Sequence, residues 1–185
     1  MERTQRTVVF ALIGVISVGL AALIASLVVP YNVTFGALLT DMHGTGHYTR
    51  LDRPPTPLSA HANLALPVGS TVQLEPKSRA TLSLEMTGGR VMLTGPATLT
   101  LVDSYRRATS LGHLLESERF TRQYVITLRQ TQGTAYYDFS VTSPPFDTLT
   151  VTVELPQTHY IPTHPCWEIT VQPDGSAQAN DIPCR

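Results

Sequence analysis

Residues 66–101 read LPVGSTVQLEPKSRATLSLEMTGGRVMLTGPATLTL. Ala80, Leu82, Leu84 and Met86 alternate with Thr81, Ser83 and Glu85. A period of two puts one face of a strand in a core and the other in water. Gly88-Gly89 then predicts a hairpin turn, since both positions tolerate positive φ. Val91 and Leu93 follow on one face, and Gly95-Pro96 predicts a second turn. Ala97, Leu99 and Leu101 alternate once more with Thr98 and Thr100. Upstream, Val68-Gly69 and Val72-x-Leu74 precede a turn around Glu75-Pro76-Lys77. The reading is a run of consecutive antiparallel strands.

Downstream the same period returns. Tyr124, Ile126 and Leu128 alternate with Thr127 and Arg129, and Gln132-Gly133 predicts a turn. Ala135, Tyr137, Phe139 and Val141 share a face, Ser143-Pro144-Pro145 breaks the strand, and Leu149, Val151, Val153 and Leu155 resume it. Short strands separated by Gly and Pro turns predict an all-β domain: an antiparallel sandwich, a roll or a solenoid-like stack. Between the two strand-rich halves, residues 103–122 have no period of two and gather Arg106, Arg107, Glu116, Glu118, Arg119 and Arg122. This stretch reads as an inserted loop, with Leu111, Leu114 and Leu115 suited to a short helical turn.

The C-terminal stretch carries the two cysteines, Cys166 and Cys184. Trp167, Ile169 and Val171 alternate with Glu168, Thr170 and Gln172 before Pro173-Asp174-Gly175 turns the chain. A three-residue loop from Asp174 to Ser176 would pair Pro173 with Ala177 and set Cys166 opposite Cys184. That register brings two Cα atoms into bridging range, and a bridge closing a loop of that size stabilises by about 3 kcal/mol. The alternatives are two free thiols or metal ligation, and two cysteines without a matching pair make a poor zinc site.

Before the strands lies a different kind of segment. Val8–Val29, VVFALIGVISVGLAALIASLVV, holds no Asp, Glu, Lys or Arg. As a helix it would extend roughly 33 Å, enough for a hydrocarbon core of about 30 Å. It reads as an uncleaved transmembrane helix: the run is too long for a signal peptide and lacks a small-x-small cleavage site. Arg3 and Arg6 precede it, and no positive charge follows until Arg50. The positive-inside rule places residues 1–7 in the cytoplasm and residues 30–185 outside. Gly14, Ser17, Ala21 and Ala25 fall on one helix face and would allow close packing against another helix. Residues 30–63 read as a juxtamembrane segment, with a first strand over Phe35–Met42 and a Pro-rich stretch at Pro54, Pro55 and Pro57 that is either a linker or a loop crossing an edge. The β-domain proper is expected over 64–185.

The strand and turn signals over residues 64–172 resemble the FecR domain family. Val68-Gly69, Ser78-Arg79-Ala80, Gly88-Gly89 and Leu93-x-x-Pro96 occupy the places of that family's opening steps, and Leu128-x-x-x-x-Gly133 and Phe139–Pro144 match later ones. The chain departs at Asp147-Thr148, where the family usually has a Gly-Thr-led strand, in the 103–122 insertion, and in ending on a cysteine hairpin. The resemblance implies a domain outside the inner membrane that receives a signal or a partner. It also implies a cytoplasmic anti-sigma module, but residues 1–7 are too few to fold into one.

The formal net charge is −1, so there is no basic footprint for nucleic acid. No phosphate loop, dinucleotide fingerprint or nucleophile elbow appears. Asp41-x-His43 is the nearest approach to a catalytic set, and His43, His47, His159 and His164 read as loop histidines rather than metal ligands. The expectation is a non-enzymatic chain with no cofactor, metal or catalytic residue. It is a single-pass membrane protein whose external domain binds a protein or envelope partner, in signal sensing or scaffolding. The alternative is an accessory subunit of a larger membrane complex, packed through its helix. Arg106 and Arg107 in the insertion, and Tyr136, are the candidate partner contacts. Tyr136 and Tyr137 are adjacent on a strand, so one faces the core and the other faces out.

Overall fold

The computed structural model describes residues 2–51, 53–61, 63–108, 123–142 and 148–184, the side chains of 2–12, 27 and 28 excepted. Among the described residues one helix, α1 (Glu2–Val28), precedes thirteen strands, and the chain divides into two compact units. The first holds residues 1–32 with 107–122; the second holds residues 33–106 with 123–185.

In α1 the described side chains run from Ile13 to Ser26, and Ile13, Val15, Ile16, Val18, Leu20, Leu23 and Ile24 are all exposed. Among the described residues no helix is long and apolar enough to cross a membrane, so the expected transmembrane span has no support from the structure. Gly14, Ser17, Ala21 and Ala25 are exposed on the helix.

The second unit is built around two long strands, β8 (Arg90–Ala108) and β9 (Gln123–Asp138). Each serves two wings of one folded sheet. The first half of β8 pairs with β7 (Arg79–Leu84), from Arg79↔Thr94 to Ser83↔Arg90. Its continuation pairs with β6 (Ser70–Leu74), from Leu74↔Ala97 to Thr71↔Thr100. Likewise β9 gives Tyr124–Arg129 to β10 (Leu149–Glu154) and Gly133–Asp138 to β12 (Cys166–Val171). One wing therefore runs β5 (Leu64–Leu66), β2 (Ala37–His43), β7, β8, β9, β12 and β13 (Ala177–Asp181). The other runs β4 (Thr56–Leu58), β3 (Gly46–Arg50), β6, β8, β9, β10 and β11 (His159–Tyr160). A short β1 (Tyr31–Thr34) precedes them.

The corners explain two glycines. Gly95-Pro96 and Gln132-Gly133 are not turns between strands; both lie inside continuous strands, at the point where each changes wing. A Cβ on Gly95 would come 2.0 Å from the Glu75 carbonyl oxygen, and one on Gly133 2.0 Å from that of Pro96. Gly133 also has φ +84, a conformation that suits glycine. The expected meander over 66–101 changes with them: β6 and β7 are not partners but lie in different wings, each paired with its own part of β8.

Buried positions follow the period of two. Ala80, Leu82 and Leu84 of β7, Val91, Leu93, Ala97, Leu99 and Leu101 of β8, and Tyr124, Ile126 and Leu128 of β9 join one core cluster with Trp167, Ile169 and Val171 of β12. On β9 the buried parity then shifts past Gly133, to Ala135 and Tyr137, and Phe139 just beyond the strand continues it. At the centre Trp167 stacks on Tyr137 and Phe139, with ring centroids 5.1 Å and 5.3 Å away. The Tyr137 hydroxyl donates to buried Gln130 Oε1 at 2.8 Å, while Gln130 Nε2 donates to the carbonyls of Gly133 and Ile169. This satisfies the amide where the strand bends, as a buried polar group requires.

Several expectations are corrected. The segment 30–63 is part of the sheet: the first strand expected over Phe35–Met42 is β2, which lies between β5 and β7, and the same segment supplies β3 and β4. The Pro-rich stretch forms an edge strand whose Pro57 pairs with His47, a place where a missing donor is tolerated. Residues 103–108, expected to be loop, continue β8; the charges and leucines of 109–122, and the strand break at Ser143-Pro144-Pro145, lie outside the described residues. The sheet is not wholly antiparallel, because β10 runs parallel to β9. Met86 and Val141 are exposed, since the strand pairings end before them.

The disulfide between Cys166 and Cys184 is present, with the Cα atoms 5.3 Å apart. Its hairpin register differs from the expected one. Val171 pairs with Ala177 and Trp167 with Asp181, so the loop is Gln172–Ser176 and the chain continues past Ile182 before Cys184 turns back. The longer loop is set by Asp174, whose Oδ1 accepts the Ser176 amide at 2.9 Å and hydroxyl at 2.7 Å. Those bonds hold the Asp174 carboxyl below the usual carboxylate range, the Ser176 side chain being the largest cause.

Candidate functional site

The outer face of the first wing is hollow in the middle. Two adjoining depressions of about 570 Å³ and 540 Å³ share Asp41, Thr81, Met92 and Tyr136 and form one groove. The shape follows from the side chains that strand alternation turns outward. Short Thr81, Thr94 and Thr134 occupy the centre, while long Arg79, Arg90 and Glu168 stand around it. Cross-strand partners fix their places: Arg79 faces His43 and Thr94, Thr81 faces Met92, and Glu168 faces Tyr136.

Tyr136 and Tyr137 do point to opposite faces, but Tyr136 is not an exposed tyrosine. It is 7 % exposed and lies at the groove floor, while Tyr137 is at the centre of the core. Burial raises the Tyr137 hydroxyl well above the usual tyrosine range. Met92, 37 % exposed, is an accessible apolar side chain of the groove, beside buried Ala80 and Leu93.

Asp41 enters the groove through an irregularity. The β2–β7 register shifts between Thr40 and His43, and Asp41 takes φ 51. An extra residue at a bulge re-aims its side chain, and a non-glycine residue in the left-handed region is strained; both features concentrate at functional sites. Among the described residues Asp41, Arg79, Arg90 and Glu168 form no salt bridge; the pairs seen are Arg129–Glu154 at 2.7 Å and His164–Asp181 at 4.0 Å, both elsewhere. The groove thus presents two guanidinium groups and two carboxylates without ionic partners. A fifth charge, Asp138, is engaged: its Oδ1 accepts the Ser140 amide at 2.9 Å and hydroxyl at 2.6 Å.

His43 lines the groove but packs edge-on against His61, ring centroids 5.9 Å apart, and among the described residues no hydrogen bond joins it to Asp41 or to a hydroxyl. A general base needs such a contact with its nucleophile. His47 is on β3 in the second wing, and His164 stands beside Asp181. Asp138, Cys166 and Cys184 lie within 4.8 Å of one another, but both sulfurs are committed to the disulfide and offer no thiolate.

Arg106 and Arg107 are on β8 and do not line the groove. Arg106 Nε is buried without a hydrogen-bond partner among the described residues. Asp41 was noted beside His43 only as the nearest approach to a catalytic set, and Arg79, Arg90, Met92 and Glu168 were not among the candidate site residues. The available signal was a charged residue at an outward strand position among threonines, and it becomes informative only once the strand order sets those positions side by side.

A second polar cluster ties the C-terminal hairpin to its neighbours. Asp181 accepts the Tyr160 hydroxyl at 2.7 Å and the Thr163 hydroxyl at 3.3 Å. Tyr160 is pushed up to about 12, by burial first and then by the hydrogen bond and charge of Asp181. The chain matches no family model, no curated protein and no solved structure.

Proposed function

We propose that this chain is a non-enzymatic binding protein of a cell envelope, anchored in the inner membrane by residues 8–29, whose FecR-like β-domain holds a protein partner in the groove of its first wing. The observation that carries the binding reading is the set of four groove charges, Asp41, Arg79, Arg90 and Glu168, that have no ionic partner among the described residues. Side chains of both signs around a threonine floor suit a polypeptide segment that itself bears acidic and basic residues. A polyanion meets three carboxylates, Asp41, Asp138 and Glu168, against two arginines there, which disfavours nucleic acid. The anchor rests on the sequence of Val8–Val29 and the outward orientation on Arg3 and Arg6.

The test uses the full chain in native membranes, with a photocrosslinking residue in place of Met92 and, separately, of exposed Leu51. A protein adduct formed from position 92 alone, and lost in R79E or E168K, supports the reading. No protein adduct, a glycan adduct, or equal adducts from both positions overturns it. Release of the chain from membranes by alkaline carbonate would overturn the anchor separately.

A further inference from the structure

The two sulfurs of the disulfide have unequal surroundings. Cys184 is exposed, whereas Cys166 is fully buried. Cys166 pairs in register with Asp138 of β9, whose Oδ1 lies 3.4 Å from Cys166 Sγ. A disulfide sulfur carries no proton, so this contact is a carboxylate oxygen packed against sulfur rather than a hydrogen bond. The oxygen is held in place by the Ser140 amide and hydroxyl.

We propose that Asp138 protects the Cys166–Cys184 bond against thiols by opposing the departure of Cys166. In exchange, an external thiolate attacks one sulfur, a new S–S bond forms, and the other sulfur leaves with the electron pair of the old bond. Burial closes Cys166 to attack, so the thiolate must attack Cys184. The leaving group is then Cys166, and negative charge develops on its sulfur against the Asp138 carboxylate. Like charge at that distance disfavours the thiolate, and a poorer leaving group departs more slowly. With a dithiol reductant, its second thiolate next displaces Cys184 from the mixed disulfide. The dithiol becomes a cyclic disulfide, and the protein gains two electrons and, at neutral pH, two protons. Asp138 thereby keeps β13 fastened to β12 where thiols are present.

The experiment follows opening of the bond in the full chain at fixed pH, by alkylation of the released thiols and mass measurement. D138N keeps an oxygen for the Ser140 donors and removes the charge. It is expected to open about threefold faster or more with dithiothreitol. An unchanged rate overturns the proposal. Two thiols of opposite charge separate leaving-group control from repulsion of the attacker: cysteamine is cationic and mercaptoethanesulfonate anionic. Equal acceleration with both supports the proposal; acceleration confined to the anionic thiol overturns it. Amide exchange along β12 is measured in the same variant. Exchange that rises by the same factor as the opening rate overturns the proposal in favour of loosened packing, and unchanged exchange supports it.

Discussion

Gly133 of β9 is seated directly on the backbone of Pro96 of β8. A Cβ at position 133 would meet the Pro96 carbonyl oxygen at 2.0 Å and the Ala97 Cα at 2.6 Å. The contact marks where both long strands pass from one wing to the other, so the closeness of two backbones joins the wings. Gly133→Ala must both adopt a positive φ and push β8 away. The expected loss is about 3 kcal/mol, adding left-handed backbone strain to overpacking. A urea midpoint measured against the parent chain checks this, and a loss under about 1 kcal/mol would mean the corner yields easily.

Gln130 and Tyr137 make a second point of dependence. The buried amide is satisfied on its oxygen by the Tyr137 hydroxyl. Tyr137→Phe keeps the stack on Trp167 and leaves that oxygen without its donor. The expected cost is about 1–3 kcal/mol, the penalty of an unmet buried acceptor. Replacing Gln130 by Leu in the same chain should recover part of it, and a double-mutant cycle by chemical denaturation reads the coupling.

The disulfide closes a sequence separation of 18 residues. Replacing both cysteines by alanine is expected to destabilise the domain by about 3 kcal/mol through the freed unfolded chain. By contrast, Arg129→Gln removes an exposed ion pair whose side chains are 51 % and 36 % accessible, and should change stability by less than about 1 kcal/mol. Thermal unfolding of the two variants side by side distinguishes a covalent staple from a solvated pair.

High pH should unfold the domain earlier than ordinary tyrosine ionisation alone would require. Tyr160 is raised to about 12 and Tyr137 is raised further by burial. A folded state that holds its protons more tightly than the unfolded one is fully favoured below the unfolded tyrosine range, near pH 10. It loses that advantage as pH climbs through the folded values. Stability should therefore fall from about pH 10 towards pH 12. In Tyr160→Phe the slope across that window should be shallower, as read from denaturant midpoints at each pH; an identical slope would remove Tyr160 as a cause.

The strands themselves were legible. Alternation at Ala80–Leu84, Tyr124–Leu128 and Trp167–Val171 needs only a period of two, and the buried faces are the ones it marks. The turn at Gly88 and the Cys166–Cys184 bridge were legible too, since positive φ and paired cysteines are local or countable signals. Gly95-Pro96 and Gly133 misled because a glycine that turns a chain and a glycine that lets two backbones touch look alike in sequence. The hairpin loop was misjudged because Asp174 and Ser176 form their own hydrogen bonds and lengthen it. The groove was not legible. Arg79, Met92, Tyr136 and Glu168 come from different strands, and only pairing places them in one hollow.

By itself, then, the sequence determined which residues face a core and that the domain is all β, because burial of apolar side chains follows from the period of the chain alone. It also placed the apolar run of Val8–Val29 at the start of the chain. The tertiary structure decided the rest. It bent β8 and β9 across two wings at Gly95 and Gly133, joined β10 to β9 in parallel, and set Asp138 against Cys166. These are contacts between segments far apart in the chain. Their energies depend on three-dimensional proximity, which no local pattern encodes.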